Sequence, residues 1–306
     1  MMMSDHRTVE AAIRAAAAAF EAAGLAYGHG TDNALDEAAW LVNHALGRSP
    51  ARAPDYARAL SDPERRAVQA LVAQRIEGRR PAAYLTGRAW FAGVEFLCDE
   101  RALVPRSPLA EFLLDDAFGL LPVDTDAPFR ALDLCTGGGC IGITMALLWP
   151  RARIDASDLS RDALALAADN VARHAVGDRV RLLHGSLFEP VRGRYALIVS
   201  NPPYVDAQDL AGMPAEFGHE PPLGLGAGQD GLDLVLPMLA GAAEHLEEDG
   251  WLVVEVGNSA AALAGRVPGL ALEWFAFAGG GHGVFAVSRA SLLAFAERGG
   301  FARLDG

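Results

Sequence analysis

Residues 130–142 read RALDLCTGGGCIG, an apolar strand pattern that passes into three consecutive glycines and then into a predicted helix. Glycine has no side chain, so a ligand can approach its backbone closely. The spacing Gly137-x-Gly139-x-x-Gly142 also fits the dinucleotide-binding fingerprint, which is weak evidence on its own. This strand–loop–helix unit predicts a ligand site at the end of a parallel strand, although tight turns without a ligand use the same residues.

From about residue 108 the chain alternates strand and helix patterns, which is typical of a parallel sheet with helices on both faces. Two later strand patterns, 272–277 and 284–288, flank the glycine-rich turn 279–283 and predict a closing antiparallel hairpin. Such a hairpin is typical of methyltransferases of the doubly wound class and is usually missing from dinucleotide-binding proteins. The predicted parallel strands are 130–134, 153–158, 180–184, 197–200 and 251–256.

The first 80 residues have a helical pattern. Apolar residues such as Val9 and Ile13 recur at helical spacing. A second helix is predicted from Asp32, as its start signal, to Gly47, as its stop signal. A third begins at the sequence SDPE, residues 61–64, where serine and glutamate have capping-box spacing.

Between the helical part and the sheet, the pattern changes to short strands. Trp90-Phe91 and Val94-Glu95-Phe96 flank Gly93 and predict short strands or a hairpin. We therefore expect three parts: a helical domain at 1–83, a linker hairpin at 84–106 and a sheet domain at 107–306.

The composition excludes several classes of function. The chain has no lysine, which Schiff-base enzymes and Walker P-loops require. Its net charge of −13 is unfavourable for binding nucleic-acid phosphates. Its three cysteines fit no metal or disulfide spacing, so we expect no metal. It has no signal peptide and no run of about 18 apolar residues, which predicts a cytoplasmic protein that does not bind membranes.

Asp158 ends the second predicted strand of the sheet. A carboxylate at this position can accept hydrogen bonds from both ribose hydroxyls of an adenosine. Nicotinamide cofactors and S-adenosylmethionine would both satisfy Asp158 and the glycine loop. The residues after the fourth strand decide between them.

Asn201-Pro202-Pro203-Tyr204 follows the fourth strand directly and should face the same site. Asn-Pro-Pro is also a common turn sequence. An amide or aromatic amine is a poor nucleophile because its lone pair is delocalised. The carbonyls of Asn201 and Pro202 can hold both hydrogens of a planar NH₂ group, and Tyr204 can stack on it. A methyl sulfonium is already electrophilic, so this chemistry needs neither a metal nor a strong base.

Four stretches resemble the HemK-like protein-(glutamine-N5) methyltransferases, and within them the PrmB type, over residues 83–288. The match is looser in the helical part. The stretches are AYLTG at 83–87 with Trp90-Phe91, LVPRSPLAE at 103–111, the glycine loop with Asn201 to Tyr204, and EFGHEPPLGL at 216–225 with GQDGL at 228–232.

The resemblance implies a seven-stranded Rossmann-like class I methyltransferase sheet, with a smaller N-terminal helical domain and a β-hairpin linker. It implies that S-adenosylmethionine is the cofactor. The family usually has an acidic residue that faces the adenine amine, and here Ser186 stands in its place. The implied catalytic residues are Asn201, Pro202, Pro203 and Tyr204. The implied cofactor-binding residues are Asp133, Cys135, Thr136, Gly137, Gly138, Gly139, Asp158, Leu159, Ser186, Leu187 and Asn201.

The resemblance further implies a protein substrate, a large-subunit ribosomal protein, with a release factor as the alternative. The helical domain is expected to recognise that substrate. A nucleic-acid base methyltransferase would use the same four catalytic residues, but the net charge opposes it, so no nucleic-acid substrate is expected. If the protein were a nicotinamide-dependent oxidoreductase or a non-catalytic binding protein, residues 201–204 would have no evident role. The roles of His219 and Glu220 stay open between a catalytic and a structural function. Arg106 could bind a substrate or cofactor carboxylate, or form a surface or interdomain ion pair.

Overall fold

The computed structural model describes residues 7–48, 55–116 and 126–303. The predicted domain ends at residues 1 and 306 lie outside this part of the chain. The described residues of the N-terminal part form the helices α1 (Val9–Ala22), α2 (Ala34–Ala45), α3 (Asp62–Gly78) and α4 (Ala82–Thr86). Their apolar faces enclose a hydrophobic cluster of their own, which includes Phe20 and Leu41.

Local capping explains where these helices begin. The Thr8 side chain accepts a hydrogen bond from the Ala11 N–H, and the Asn33 side chain accepts one from the Asp36 N–H. The predicted start of α2 at Asp32 was therefore wrong by one residue. The capping-box contact predicted at α3 is confirmed, because the Glu64 carboxylate accepts the Ser61 N–H at 2.8 Å.

An antiparallel hairpin of β1 (Arg88–Phe91) and β2 (Val94–Leu97) follows, as predicted. Ala92 and Gly93 form its two-residue turn with φ angles of 50° and 76°. Positive φ at both turn residues matches the right-handed twist of the two strands.

The rest of the chain builds a seven-stranded sheet in the order β5-β4-β3-β6-β7-β9-β8. The pairs among β5, β4, β3, β6 and β7 are parallel, whereas β9 is antiparallel to both β7 and β8. The strands are β3 (Arg130–Leu134), β4 (Arg153–Asp158), β5 (Val180–His184), β6 (Tyr195–Ser200), β7 (Leu246–Glu255), β8 (Glu273–Trp274) and β9 (Val284–Ser288).

Helices cover both faces of the sheet, and alternate strand residues supply the two cores. In β6, Leu197 and Val199 belong to one hydrophobic cluster and Ile198 to the other. The helices are α5 (Leu109–Glu111), which continues as a π-helix (Phe112–Asp116), α6 (Cys140–Leu148), α7 (Arg161–Arg173), α8 (Ala207–Gly212), α9 (Val235–His245), α10 (Ala260–Arg266) and α11 (Arg289–Glu297). Within the described residues, no helix is long and apolar enough to cross a membrane.

The predicted strands differ from the structure mainly at their ends. The first three match residue for residue, whereas β6 begins two residues earlier than predicted and β7 begins five residues earlier. The predicted strand 272–277 was too long, because β8 consists of Glu273 and Trp274, whose ladder partners in β9 are Ala286 and Phe285. The closing antiparallel hairpin is confirmed, with β9 inserted between β7 and β8.

Candidate functional site

The glycine loop connects β3 to α6 at the carboxyl edge of the sheet. Gly137 and Gly139 have φ angles of 55° and 85°, a region that residues with a side chain rarely occupy. A Cβ atom on Gly138 would lie 3.3 Å from Leu166, and one on Gly139 would lie 3.2 Å from Ala167. The glycines therefore serve two purposes: they shape the loop, and they let it pack against α7.

Asp133 supports this loop from below. Its carboxylate is fully buried and accepts hydrogen bonds from the Thr136 hydroxyl and the Gly142 N–H. Burial raises the pKa of Asp133 to about 7, against the effect of these two hydrogen bonds. The other carboxylate oxygen has no hydrogen-bond partner among the described residues.

Asp158 joins the glycine loop to the loop after β4. One carboxylate oxygen accepts the Gly137 N–H and the other accepts the Ser160 N–H, both at 2.8 Å. Burial raises the pKa of Asp158, whereas the hydrogen bonds from Ser160 and Gly137 oppose that rise. Each oxygen keeps a further acceptor site, since an ionised carboxylate offers about four lone-pair positions.

The four residues 201–204 follow β6, whose residues are all buried. The Ser200 hydroxyl donates a hydrogen bond to the Leu134 carbonyl at 2.8 Å and thereby fastens the end of β6 to the end of β3. The amide of Asn201 has no hydrogen-bond partner among the residues that the structure describes. It is therefore available to a ligand.

Tyr204 is held by a carboxylate that the sequence did not single out. Its hydroxyl donates to Glu255 at 2.7 Å, and the Ser107 hydroxyl donates to the other oxygen of the same carboxylate. Burial raises the pKa of Glu255, and burial together with the Glu255 charge raises that of Tyr204. A Cβ atom on Gly257 would lie 2.6 Å from the Tyr204 ring, so this glycine makes room for the ring.

These groups surround one cavity of about 360 Å³. This volume lies within the usual range for small-molecule sites. Asp158 and the turn after β5 lie on one side of the glycine loop, because β4 and β5 flank β3 on that side. Residues 201–204 and Glu255 lie on the other side, at the ends of β6 and β7. The loop that begins at residue 215 also lines the cavity. Of the residues predicted for the cofactor, those that line the cavity are Cys135, Thr136, Gly137, Gly138, Asp158, Leu159, Ser186, Leu187 and Asn201.

Comparison with known proteins shows the family to which this chain belongs. Residues 114–216 match the methyltransferase small domain, and residues 11–87 match the PrmC N-terminal domain. The chain is 49% identical to the ribosomal protein uL3 glutamine methyltransferase of Xanthomonas campestris pv. campestris, over 94% of this chain and 92% of that one. The chain belongs to the HemK-like family of protein glutamine methyltransferases. A relative of the same description from Xylella fastidiosa is 47% identical over 95% of this chain and 93% of that one.

S-adenosylmethionine is the cofactor of this HemK-like methyltransferase, and the residues present fit it. Asp158 has free acceptor sites for ribose hydroxyls, and Gly137 and Gly138 leave the loop backbone open to the methionine part. Leu187 adopts a φ of 42° in the turn after β5, where it and Ser186 line the cavity. Within residues 7–48, 55–116 and 126–303, no cluster of His, Cys, Asp and Glu could hold a metal ion.

Two predicted cofactor residues do not line the cavity. Asp133 lies beneath the glycine loop, and Gly139 packs against α7. Both shape the loop rather than face the cavity. The four predicted catalytic residues all line the cavity, on the other side of the glycine loop from Ser186 and Leu187.

The three residues whose roles were left open form structural contacts in this methyltransferase. The Arg106 guanidinium makes a two-pronged ion pair with Glu220, with one nitrogen–oxygen distance of 2.7 Å. The His219 ring nitrogen contacts the Gly78 carbonyl at 2.8 Å, in the helical domain. Arg106 also lies over the ring of Phe217, 5.3 Å from its centroid.

Sequence reasoning missed Ser107 and Glu255. Glu255 follows the apolar run Leu252-Val253-Val254 at the carboxyl end of a parallel strand. A carboxylate in that position is the signal that could have identified it, because ligands bind at this edge of the sheet.

Proposed function

We propose that this protein transfers a methyl group from S-adenosylmethionine to the side-chain amide of a glutamine in ribosomal protein uL3, the PrmB-type activity. The single observation that supports this most strongly is the shared cavity, which residues 201–204 line together with the residues that fit the cofactor. The substrate is inferred from the relatives, which are named ribosomal protein uL3 glutamine methyltransferases and match nearly the whole chain.

Asn201 and Pro202 would hold the substrate amide. A glutamine amide nitrogen reacts poorly because its lone pair is delocalised into the carbonyl. If its two hydrogens are bound by the Asn201 side-chain oxygen and the Pro202 carbonyl, the lone pair points out of the amide plane, toward the methyl donor. The Asn201 amide makes no hydrogen bond to the described residues and would not have to break one.

Tyr204 would limit the tilt of the amide by stacking on it. The hydrogen bond to Glu255 fixes the tyrosine hydroxyl, and Gly257 leaves space for the ring. Glu255 also accepts a hydrogen bond from Ser107, at the start of the sheet domain. The orientation of the Tyr204 ring therefore depends on the position of Ser107 as well.

When bound, S-adenosylmethionine would supply an electrophilic methyl sulfonium. Asp158 would hold its ribose, the loop 135–138 its methionine part, and Ser186 with Leu187 its adenine. The amide proton can leave after the transfer, when the nitrogen has become acidic, so no strong base is needed before attack.

The substrate would be chosen outside the sheet domain. We assign residues 1–83 to substrate recognition, residues 84–106 to a linker and residues 107–306 to methyl transfer. The separate hydrophobic cluster of the helical part, which runs from Val9 to Ala82, supports the first of these boundaries. A ribosomal protein substrate implies that the enzyme works in the cytoplasm.

The test is methyl transfer from labelled S-adenosylmethionine to purified uL3, followed by mass spectrometry of the labelled peptide. We expect one labelled glutamine and no transfer when that glutamine is replaced by alanine. Release factor and ribosomal RNA are tested in parallel. Label that appears in the release factor or the RNA, and not in uL3, would contradict the proposal.

A further inference from the structure

The loop that follows α8 forms one wall of the substrate end of the cavity. We call residues 215–225 the cavity loop. It contains two short 3₁₀ turns, Ala215–His219 and Pro222–Gly224. Phe217, Pro221 and Leu223 line the cavity, so the position of this loop sets the shape of the site.

The helical domain holds the first turn of the cavity loop through Glu216. This carboxylate is completely buried. One of its oxygens accepts the Ala26 N–H at 3.0 Å and lies 3.0 Å from the Arg79 guanidinium and 3.5 Å from that of Arg75. Arg75 is itself buried and is fixed by Glu37 at 2.7 Å. These three partners of Glu216 come from the helical domain.

The second fixed point is Glu220, at the end of the first turn. It pairs with Arg106 and accepts the Val104 N–H at 3.0 Å, both from the segment that enters the sheet domain. His29 of the helical domain lies 3.5 Å from the same carboxylate, and its ring also contacts that of Phe217, with centroids 4.3 Å apart.

Both carboxylates are too deeply buried to tolerate the loss of their partners. If the loop moved away from these partners, each buried carboxylate would have neither water nor a counter-charge, which costs free energy. The two contacts therefore hold the loop in place. The loop ends at Leu225, whose carbonyl accepts the Val205 N–H at 3.0 Å, so it lies beside residues 201–204. We therefore expect the two contacts to act on the substrate end of the cavity.

We propose that Glu216 and Glu220 are positioning residues, through which the helical domain and the segment 104–106 hold the cavity loop in the shape that accepts the protein substrate. This inference rests on the proposed function, which makes the substrate a protein. The helical domain thus acts on the site indirectly, because it holds a loop that lines the cavity.

The kinetic test uses Glu216→Gln in the full chain. We expect the KM for uL3 to rise roughly tenfold, while the dissociation constant of S-adenosylmethionine stays within about twofold. Glu10→Gln is the matched control, because it removes an exposed ion pair with Arg14 within α1. Val72→Ala weakens the core of the helical domain without touching the loop. Both controls should keep the wild-type KM.

A second readout does not depend on methylation. In hydrogen–deuterium exchange, Glu216→Gln should speed exchange in residues 215–225 roughly tenfold and leave residues 135–142 unchanged, whereas Val72→Ala should not speed exchange in the loop. If Glu216→Gln does not fold, Arg79→Gln replaces it, since Arg79 is partly exposed. Unchanged loop exchange in the folded variant, or a rise equal to that of Val72→Ala, overturns the inference. If the wild-type enzyme does not methylate uL3, the proposed function is wrong. The hydrogen–deuterium exchange result still tests the inference about the loop in that case.

Discussion

Asp158 combines two tasks in one side chain. It bridges the N–H groups of Gly137 and Ser160 and keeps acceptor sites for the ribose. Replacement by asparagine puts an NH₂ group where an acceptor is needed. We expect Asp158→Asn to weaken S-adenosylmethionine binding by about 10- to 100-fold, measured by calorimetry. The exposed Asp162→Asn on α7 is the control, and equal affinities for the two variants would contradict this role.

Glu255 acts on the reaction through Tyr204. The two oxygens of its carboxylate accept the hydroxyl hydrogens of Tyr204 and Ser107. Glutamine would place an NH₂ group at one of these two acceptor positions. We expect Glu255→Gln to slow methyl transfer by about 10- to 100-fold with little change in cofactor affinity. Single-turnover rates measure this effect, with the exposed Glu248→Gln on the same strand as control.

A double-mutant cycle separates this positioning role from a general loss of stability. If Glu255 acts through the tyrosine hydroxyl, Glu255→Gln should have a much smaller effect in a Tyr204→Phe background. Fully additive losses would show that Glu255 does not act through Tyr204.

At the scale of elements, Asn170 on α7 connects three parts of the chain. Its buried amide accepts the Leu97 N–H at 2.8 Å and donates to the carbonyls of Leu97 and Gly138. The hairpin, α7 and the glycine loop are thus joined by one side chain.

Asn170→Ala removes these three hydrogen bonds and leaves backbone groups buried without partners. We expect the free energy of unfolding to fall by about 2–4 kcal/mol, measured by urea denaturation. The control is Asn43→Ala on α2, whose side chain donates one bond within its own helix. A loss in Asn170→Ala no greater than in this control would contradict the assignment.

The elements themselves could be predicted because each depends on local pattern. The strands β3, β4 and β5 follow from apolar runs, and the turn at Gly93 from its neighbours. Asn170 could not be recognised, because its partner Leu97 is 73 residues away and no local pattern records that contact. β8 was predicted too long because its apolar residues continue beyond the two that form the strand.

In the site, too, local sequence patterns could be predicted and contacts between distant residues could not. The glycine loop and residues 201–204 have their own sequence patterns, and the structure arranges them around one cavity. Arg106 and Glu220 are 114 residues apart, so their pairing could not be read from either segment. The roles of the predicted site residues stay predictions until the variants are measured.

At the scale of the whole molecule, the ion cluster around Glu220 makes stability depend on pH. Burial alone would raise the pKa of Glu220, but the contacts with His29 and Arg106 lower it to about 2, from an ordinary value of 4.5. Because the pKa is lower in the folded protein, the carboxylate contributes its full stability above about pH 4.5 and loses it as the pH falls toward 2.

Urea unfolding between pH 3.5 and 7 measures this contribution. Glu220→Gln should be less stable than wild type at pH 7, and the difference should shrink below about pH 4.5. A difference that is constant across this range would contradict the ionic role of Glu220.

The account depends most on Asn201 as an acceptor for the substrate amide. The direct measurement is the single-turnover rate of methyl transfer to uL3 by Asn201→Ala, with the affinity for S-adenosylmethionine measured on the same preparation. We predict a rate at least about 100-fold below wild type, because the lost acceptor leaves the amide unoriented, and a cofactor affinity within a few-fold of wild type. A rate equal to that of the wild type would contradict the account.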